Sequence, residues 1–391
     1  MDRDSKILIS FALGLVFLIV FIFPEQVPQR NLSGVIEIGV ISPTDETYAQ
    51  YEYLAGLAED ELNAICNESE LGISFDFNVS SGESSPARVY ELVEDQWRRG
   101  VDIFVAGGYH SQLTAMSSFL NDNEILVLSP SSTYVNMNLD DYIYRMSPND
   151  SVYAPTLALL LKDYGYDRIL LLGRESLVSR EGTPFSNVYE ALGGEVIDIV
   201  TYPWEVEFNT SLDQAEVILG SNYDSGSDIG ILLLDYVQAD EILRASEPYS
   251  RLSNATWINI DAYRYPSMNI VPYSTDVKLL SPSPVLVSGE KTQVIGEMFE
   301  NRFDEELDFV DGCVYDSCML LGLSIIELDS TNSSLLRDEL LNFASSYVGL
   351  TGPCGFDDNG DRNVFRMGLF AQCFNGIPEW NMVDYNDYSF D

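Results

Sequence analysis

Hydroxyls and glycines, more than acids or histidines, are the residues whose spacing in this chain points to a chemistry. Gly107-Gly108-Tyr109-His110-Ser111 follows Asp102-Ile103-Phe104-Val105-Ala106, an apolar run that reads as a buried strand. The glycine pair permits a close turn. Ser111 falls at or near a helix N-terminus, beside free backbone N–H groups, where it either helps to receive a carboxylate or simply caps the helix. Ser129-Pro130-Ser131-Ser132-Thr133 follows the next strand, Ile125 to Leu128, and offers three hydroxyls and more backbone donors, or an ordinary polar turn. Open α/β sheets place ligands at the C-terminal ends of their strands. Two such loops at one sheet edge predict a shared anion cradle.

Catalytic chemistry finds little support. His110 is the single histidine, which excludes multi-His zinc sites and leaves one candidate base for a Ser–His pair. No Gly-x-Ser-x-Gly elbow, Gly-x4-Gly-Lys loop or Gly-x-Gly-x-x-Gly turn occurs. Asp357 to Asp361 resembles a calcium loop only superficially. An EF-hand needs Gly sixth and Glu twelfth, whereas Gly360 comes fourth, so Asn359-Gly360 reads as a hairpin turn. The expectation is a protein that is no enzyme and carries no cofactor or metal. The 391 residues include 62 acidic and 20 basic ones, a formal charge of −42, which makes nucleic acid and anionic lipid headgroups poor partners. In so acidic a chain, paired carboxylates lose diagnostic value and read as a solvated surface.

The elements that must position the two loops alternate regularly. Val35 to Ile41 reads as a buried parallel strand ending at Ser42-Pro43. Tyr48 to Cys66 reads as a helix with Tyr51, Leu54, Ala58, Leu62 and Ile65 along one face. A strand at Ile73 to Val79 and a helix at Ala87 to Arg99 precede the glycine loop. The pattern restarts after Met146-Ser147-Pro148, with a helix at Val152 to Tyr164 and strands at Arg168 to Gly173, Glu195 to Thr201, Ile229 to Leu234 and Thr256 to Ile260. Helices are expected around Phe185 to Leu192 and Ala239 to Ala245. Ser281-Pro282-Ser283-Pro284 reads as the next break, followed by helices at Gln293 to Phe303, Gly312 to Leu328 and Ser334 to Tyr347. Repeated strand–helix units predict open sheets with right-handed crossovers and helices on both faces, in two similar α/β lobes.

The N-terminus points to export. Ile7 to Phe23 is an apolar run broken only by Ser10 and Gly14, and as a helix it spans about 25 Å. It lacks an Ala-x-Ala cleavage site and a lipobox cysteine, which favours an uncleaved membrane anchor with the bulk of the chain outside; secretion after signal cleavage is the alternative. Asn31, Asn67, Asn78, Asn149, Asn209, Asn254 and Asn332 head N-glycosylation triplets. Five cysteines cannot all pair. Cys354 and Cys373 flank the expected hairpin and are candidates for a disulfide, whereas Cys66, Cys313 and Cys318 read as small buried hydrophobes.

These features together resemble the type I periplasmic binding proteins, in particular the branched-chain amino acid binders and their receptor-domain relatives. The resemblance spans nearly everything after the anchor. It is carried by the opening strand and helix, by Ala106-Gly107-Gly108-x-x-Ser111, by Leu128 to Thr133, and by Tyr144-Arg145-Met146-Ser147-Pro148-Asn149-Asp150. Tyr315-Asp316-Ser317 and Leu350-Thr351-Gly352-Pro353-Cys354-Gly355-Phe356-Asp357-Asp358-Asn359-Gly360-Asp361 complete it. It implies two Rossmann-like lobes joined by three hinge strands. Residues 1–24 would be the anchor or signal and 25–34 a linker; residues 35–146 and 283–362 would form the first lobe, 147–282 and 363–391 the second.

The resemblance also implies roles. Ser111 and the Ser131, Ser132 and Thr133 loop, with Tyr109 beside them, would hold a ligand's α-carboxylate. Asp261, just after Trp257-Ile258-Asn259-Ile260, would hold its ammonium, and Asp235-Tyr236 would supply a second-lobe wall. One departure stands out: relatives place a Tyr-Gly pair where this chain reads Arg174-Glu175-Ser176-Leu177-Val178-Ser179-Arg180. The implied function is capture of a small amino-acid-like solute by lobe closure and delivery to a membrane permease with its ATPase. A ligand-sensing ectodomain signalling through a separate membrane partner is the alternative.

Overall fold

The computed structural model describes residues 31–133, 141–203, 208–222, 229–235, 238–260, 278–374 and 378–389. The apolar run Ile7 to Phe23, Tyr236 and Asp261 lie outside the described residues.

In chain order, β1 (Gly34–Ser42), α1 (Tyr48–Glu68), β2 (Ile73–Ser81), α2 (Pro86–Trp97), β3 (Ile103–Val105), α3 (His110–Asp122), β4 (Leu126–Ser129) and β5 (Ile143–Pro148) come first. Then follow α4 (Asp150–Asp163), β6 (Arg168–Arg174), a single helical turn (Glu175–Leu177), a π-helical turn (Val178–Gly182), α5 (Thr183–Ala191), β7 (Glu195–Tyr202), α6 (Asn209–Asn222), β8 (Ile229–Leu234), α7 (Ala239–Ser246) and β9 (Thr256–Asn259). The chain continues through β10 (Lys278–Pro284), α8 (Glu290–Phe303), α9 (Phe309–Leu328), α10 (Ser333–Ser346), β11 (Val348–Gly349), β12 (Gly352–Pro353), β13 (Asp361–Arg362), β14 (Val364–Phe374) and β15 (Pro378–Ser389). Local chemistry sets several starts. Ser85 accepts from Arg88 N ahead of Pro86 at the head of α2, Asn332 Oδ1 accepts from Leu335 N, and Asp308 and Asp311 form a capping box on α9.

Two compact units result. The first holds the described chain up to Asn149, Leu286–Phe365 and Ser389; the second holds Asp150–Val285 and Arg366–Tyr388. In the first unit a six-stranded sheet runs β13-β5-β4-β3-β1-β2, with every pairing parallel. Alternate residues of its strands feed two cores. Ile38, Val40, Val105 and Leu128 pack with α1 and α9, while Ile41, Phe104 and Val127 pack with Val89, Val93, Leu113 and Met116 of α2 and α3. Burial on both faces is why these strands are continuously apolar rather than alternating.

In the second unit the order is β15-β14-β10-β9-β8-β6-β7, with β10 and β14 antiparallel. Leu170, Leu172, Ile231, Leu233 and Trp257 pack with Leu212, Leu219, Ile242 and Leu243 from α6 and α7. The helix α9 is long and apolar enough to cross a membrane, yet most of it is buried as the core helix of its unit.

Four expectations need correction or addition. Ser281-Pro282-Ser283-Pro284 is part of β10, not a break. Prolines lack the N–H of a ladder and so read as an interruption, but Pro282 and Pro284 sit opposite Leu369 and Met367 in a regular register. Tyr144 to Pro148 lies in a strand that the motif reading did not assign, as do the long β14 and β15. Cys354 is a free, buried thiol whose Sγ donates to Gly352 O at 3.3 Å, so the expected disulfide with Cys373 is not formed. The two cysteines stand in different units, which flanking positions in sequence do not reveal. Among the triplet asparagines, Asn149 is buried with its amide on Asp361 Oδ2 at 2.5 Å, whereas Asn31, Asn67, Asn209, Asn254 and Asn332 are exposed.

Candidate ligand-binding site

Both sheets reverse direction of strand order once. The first does so between β1 and β3, the second between β6 and β8, and at such switch points the loops leaving the C-terminal strand ends part to leave a crevice. The two switch points are furnished differently.

In the first unit, the loops after β1, β3 and β4 are bolted together. Gly107 takes φ +75°, and a Cβ there would stand 2.2 Å from Leu113 Cδ2, so only glycine makes this turn. A Cβ on Gly108 would lie 3.0 Å from Pro43 and 3.1 Å from Ser131 Oγ, which shows how closely the three loops approach. Ser129 Oγ donates to Gly107 O at 2.8 Å and Ser131 Oγ to Gly108 O at 2.8 Å. Gln112 Nε2 donates to Pro43 O at 2.9 Å, and Ser147 Oγ to Pro130 O at 2.8 Å. Ser132 N rests on Ser129 Oγ at 3.3 Å.

The predicted residues fall around this knot. Ser111 is the second residue of α3, exposed, and Tyr109 rather than Ser111 occupies the capping position. Tyr109 is 46 % exposed, and burial of part of its ring together with the nearby Glu46 carboxylate raises its phenol above the usual range. Thr133 is half-buried. Ser132 is buried, and its Oγ has no hydrogen-bond partner among the described residues. A buried hydroxyl in that condition costs about 1–3 kcal/mol, so it marks a place where another group belongs. The loop therefore offers an open donor beside the free N–H groups that begin α3, an arrangement suited to a carboxylate. His110 makes no pair with a serine nucleophile here; its ring nitrogens lie 3.3 and 3.4 Å from Thr114 Oγ1.

In the second unit, Asp235 follows β8 and is fully buried, but its carboxylate is occupied. Arg174 donates through Nε to Oδ2 at 2.6 Å and through Nη2 to Oδ1 at 3.1 Å. Tyr202 OH adds a bond to Oδ2 at 2.8 Å, and Gln238 N one to Oδ1 at 2.8 Å. Burial and the Asp235 charge push the Tyr202 phenol well up, which keeps it a neutral donor. Asn259 Nδ2 holds Leu233 O and Asp235 O at 2.9 and 3.0 Å. The expected wall residue is thus an internal counter-ion, because four donors converge on a carboxylate that has no access to water. Arg174, the residue standing where relatives carry tyrosine, is what occupies it. Further along the same loop, Arg180 Nε reaches Asp150 Oδ2 at 2.9 Å, and its Nη2 reaches Glu181 Oε1 at 2.5 Å.

Three participants escaped the motif reading. Gln112 and Tyr202 sit in patterns indistinguishable from a surface glutamine and a strand aromatic. Tyr51 was legible only as a member of an apolar helix face.

Comparison with known proteins agrees with this geometry. Residues 35–226 match the family model described as periplasmic binding protein. An uncharacterized protein of Methanocaldococcus jannaschii is 22 % identical over 383 residues, covering 90 % of this chain and 89 % of its own. An ABC transporter substrate-binding protein from Desulfitobacterium hafniense, solved in complex with Leu, superposes with a TM-score of 0.71 at 19 % identity, over 89 % of this chain and 100 % of its own. A leucine-binding protein from Thermotoga maritima gives 0.68 at 15 % identity, over 90 % and 98 %. Structural likeness at such identities establishes the fold.

Proposed function

From the premise that the chain is a type I periplasmic binding protein, by its family match over residues 35–226 and by its fold, we propose that it is the extracytoplasmic solute-binding component of an ABC-type uptake system. It captures a small amino-acid-like ligand and does not transform it. The observation that carries this reading is the buried, unpartnered Ser132 hydroxyl at the first unit's switch point, set against the start of α3. A ligand α-carboxylate satisfies Ser132 and the helix N–H groups together, with Ser111, Ser131, Thr133 and Tyr109 around it. That the similar protein from D. hafniense was solved with Leu supports the ligand class. Asp261 is the candidate partner for the ammonium.

Capture works by closure of the second unit over ligand docked on the first, and ligand favours the closed form only through contacts it makes there and not in the open one. Three chain passages, after Asn149, Val285 and Phe365, supply the hinge. Arg362 supports this role by donating to Met146 O at 3.1 Å and to Val364 O at 2.8 Å, close to where two passages leave the first unit. A permease with its ATPase reads the closed form. Ile7 to Phe23 tethers the protein to the membrane, and the chain entering the first unit is held where Asn31 N and Leu32 N donate to Asp329 at 2.5 and 3.3 Å.

The test is a thermal-shift and calorimetric screen of amino acids, amides and urea derivatives. The expected result is a stabilised complex with unaltered ligand. Ser132→Ala should weaken that complex about tenfold to a hundredfold, the worth of a hydrogen bond to a charged group. Turnover of the ligand, or unchanged affinity in Ser132→Ala, would overturn the reading.

A further inference from the structure

Among the described residues, two buried hydroxyls have no hydrogen-bond partner: Ser132 Oγ and Tyr51 OH. They come from distant parts of the chain, yet both border Ser131. Ser132 is its neighbour in sequence, and the Tyr51 hydroxyl lies close enough to the Ser131 hydroxyl to feel it, though outside hydrogen-bond geometry. Tyr51 stands in the first turn of α1, 2 % exposed, with its ring in the core beside Leu54 and Ala55. The ring is ordinary packing. The hydroxyl is not, because phenylalanine would fill the same space without leaving a buried O–H unsatisfied.

The groups around the Tyr51 hydroxyl do not relieve it. Ser131 Oγ is donating to Gly108 O. Asp308 and Asp311 lie nearby but are committed to the start of α9, Asp308 Oδ1 accepting from Asp311 N at 2.9 Å and Asp311 Oδ2 from Asp308 N at 3.2 Å. Burial first, and then the charges of Asp311 and Asp308, push the phenol far above its usual range, so the group is a neutral donor at every working pH. A fixed donor flanked by carboxylates suits a neutral acceptor oxygen, such as a hydroxyl or carboxamide, and repels a second carboxylate.

We infer that Tyr51 is a ligand-selecting residue: its hydroxyl donates to a neutral oxygen of the bound solute, on the other side of Ser131 from the carboxylate cradle. This rests on the solute-binding reading above and deepens it on the first unit alone. The residue holds its hydroxyl at a cost to the ligand-free protein and recovers that cost on binding, as functional sites commonly do.

The experiment is Tyr51→Phe, measured beside Ser132→Ala in the full chain. Without ligand, Tyr51→Phe should raise the first unit's melting midpoint by about 2–4 °C, since an unsatisfied group is removed. With the best ligand of the screen it should lose about tenfold in affinity, and the preference for Gln over Glu, or Asn over Asp, should shrink. A lower midpoint without ligand would mean the protein or a fixed water already satisfies the hydroxyl, and would overturn the inference. Affinity unchanged within twofold in Tyr51→Phe but reduced in Ser132→Ala would remove Tyr51 and leave the cradle standing. A screen in which no compound stabilises the wild type overturns both.

Discussion

The two units present their sheet switch points in opposite conditions. In the first, every strong donor of the backbone knot is used, yet Ser132 and Tyr51 keep hydroxyls with nothing to bond. In the second, Arg174 and Asp235 meet across β6 and β8, and Tyr202 and Gln238 complete the carboxylate. One switch point awaits a polar guest, while the other has supplied its own. The difference assigns the two halves of the clamp different work. The first provides directional bonds to the solute's charged end. The described part of the second provides a rigid, charge-compensated wall, so any charge it offers the ligand must come from elsewhere, with Asp261 the candidate.

The strongest way to break this contrast is to remove Arg174. If the ion pair is internal architecture, Arg174→Ala leaves the buried Asp235 carboxylate with only Tyr202 and Gln238. That should cost the second unit about 3–5 kcal/mol. Urea titration followed by hydrogen exchange should show β6 to β9 losing protection while β1 to β4 keep theirs. A variant of unchanged stability that fails to bind solute would instead make Arg174 a ligand group, and the contrast between the units would collapse.

How much of this was legible in the sequence depends on whether the information is local. The buried strands β1, β3, β4, β6 and β8 were legible because burial on both faces demands an unbroken apolar run, and such runs stand out. The glycine loop and the hydroxyl loop were legible for the same reason: a turn with φ +75° needs glycine whatever surrounds it. Strand β10 was not, since Ser-Pro-Ser-Pro carries breaker residues and only its antiparallel neighbour makes it a strand. Asp235 was read as a wall facing ligand because its chain position is right. Its occupation by Arg174, 61 residues away, is a tertiary fact without local signature. Tyr51 shows the same limit from the other side. Periodicity sees the ring on the apolar face and says nothing about where the hydroxyl ends.

A smaller effect is expected from the first unit's glycine knot. Gly107→Ala must place a methyl 2.2 Å from Leu113 Cδ2 on a backbone at φ +75°. The strain and the displaced leucine should cost about 2 kcal/mol. Because the displacement falls on the loop that Ser129 holds, ligand affinity should drop with stability. In Arg174→Ala, solute docking on the first unit should survive at least in its enthalpy. If Gly107→Ala loses stability but binds normally, the knot is scaffold and the cradle is less dependent on loop position than the bonds imply.

The smallest effect separates the open site from the rest of its own unit by pH. Asp141, ahead of β5, is raised from an ordinary 3.8 to about 6, chiefly by burial; Ile143 N and the charges of Arg145 and Arg337 act against the rise, and Asp361 adds to it. Asp361 is likewise raised to about 6, again chiefly by burial, with Arg145 and Asn149 opposing. Both carboxyls therefore hold their protons more tightly folded than unfolded. Their contribution to stability is greatest below about pH 4 and falls as pH rises to about 6, after which it is flat, since the folded state binds the extra protons only in that window. Asp141→Asn keeps an acceptor for Ile143 N and removes the cost of burying a charge. It should be more stable than wild type by about 1 kcal/mol at pH 7, discounted for partial exposure, and equal to it near pH 4. Solute affinity should be the same in both proteins across this range, because the hydroxyls of the cradle do not titrate. A variant that loses its advantage only at high pH, or an affinity that follows the Asp141 titration, would tie this carboxyl to the binding edge and blur the line between scaffold and site in the first unit.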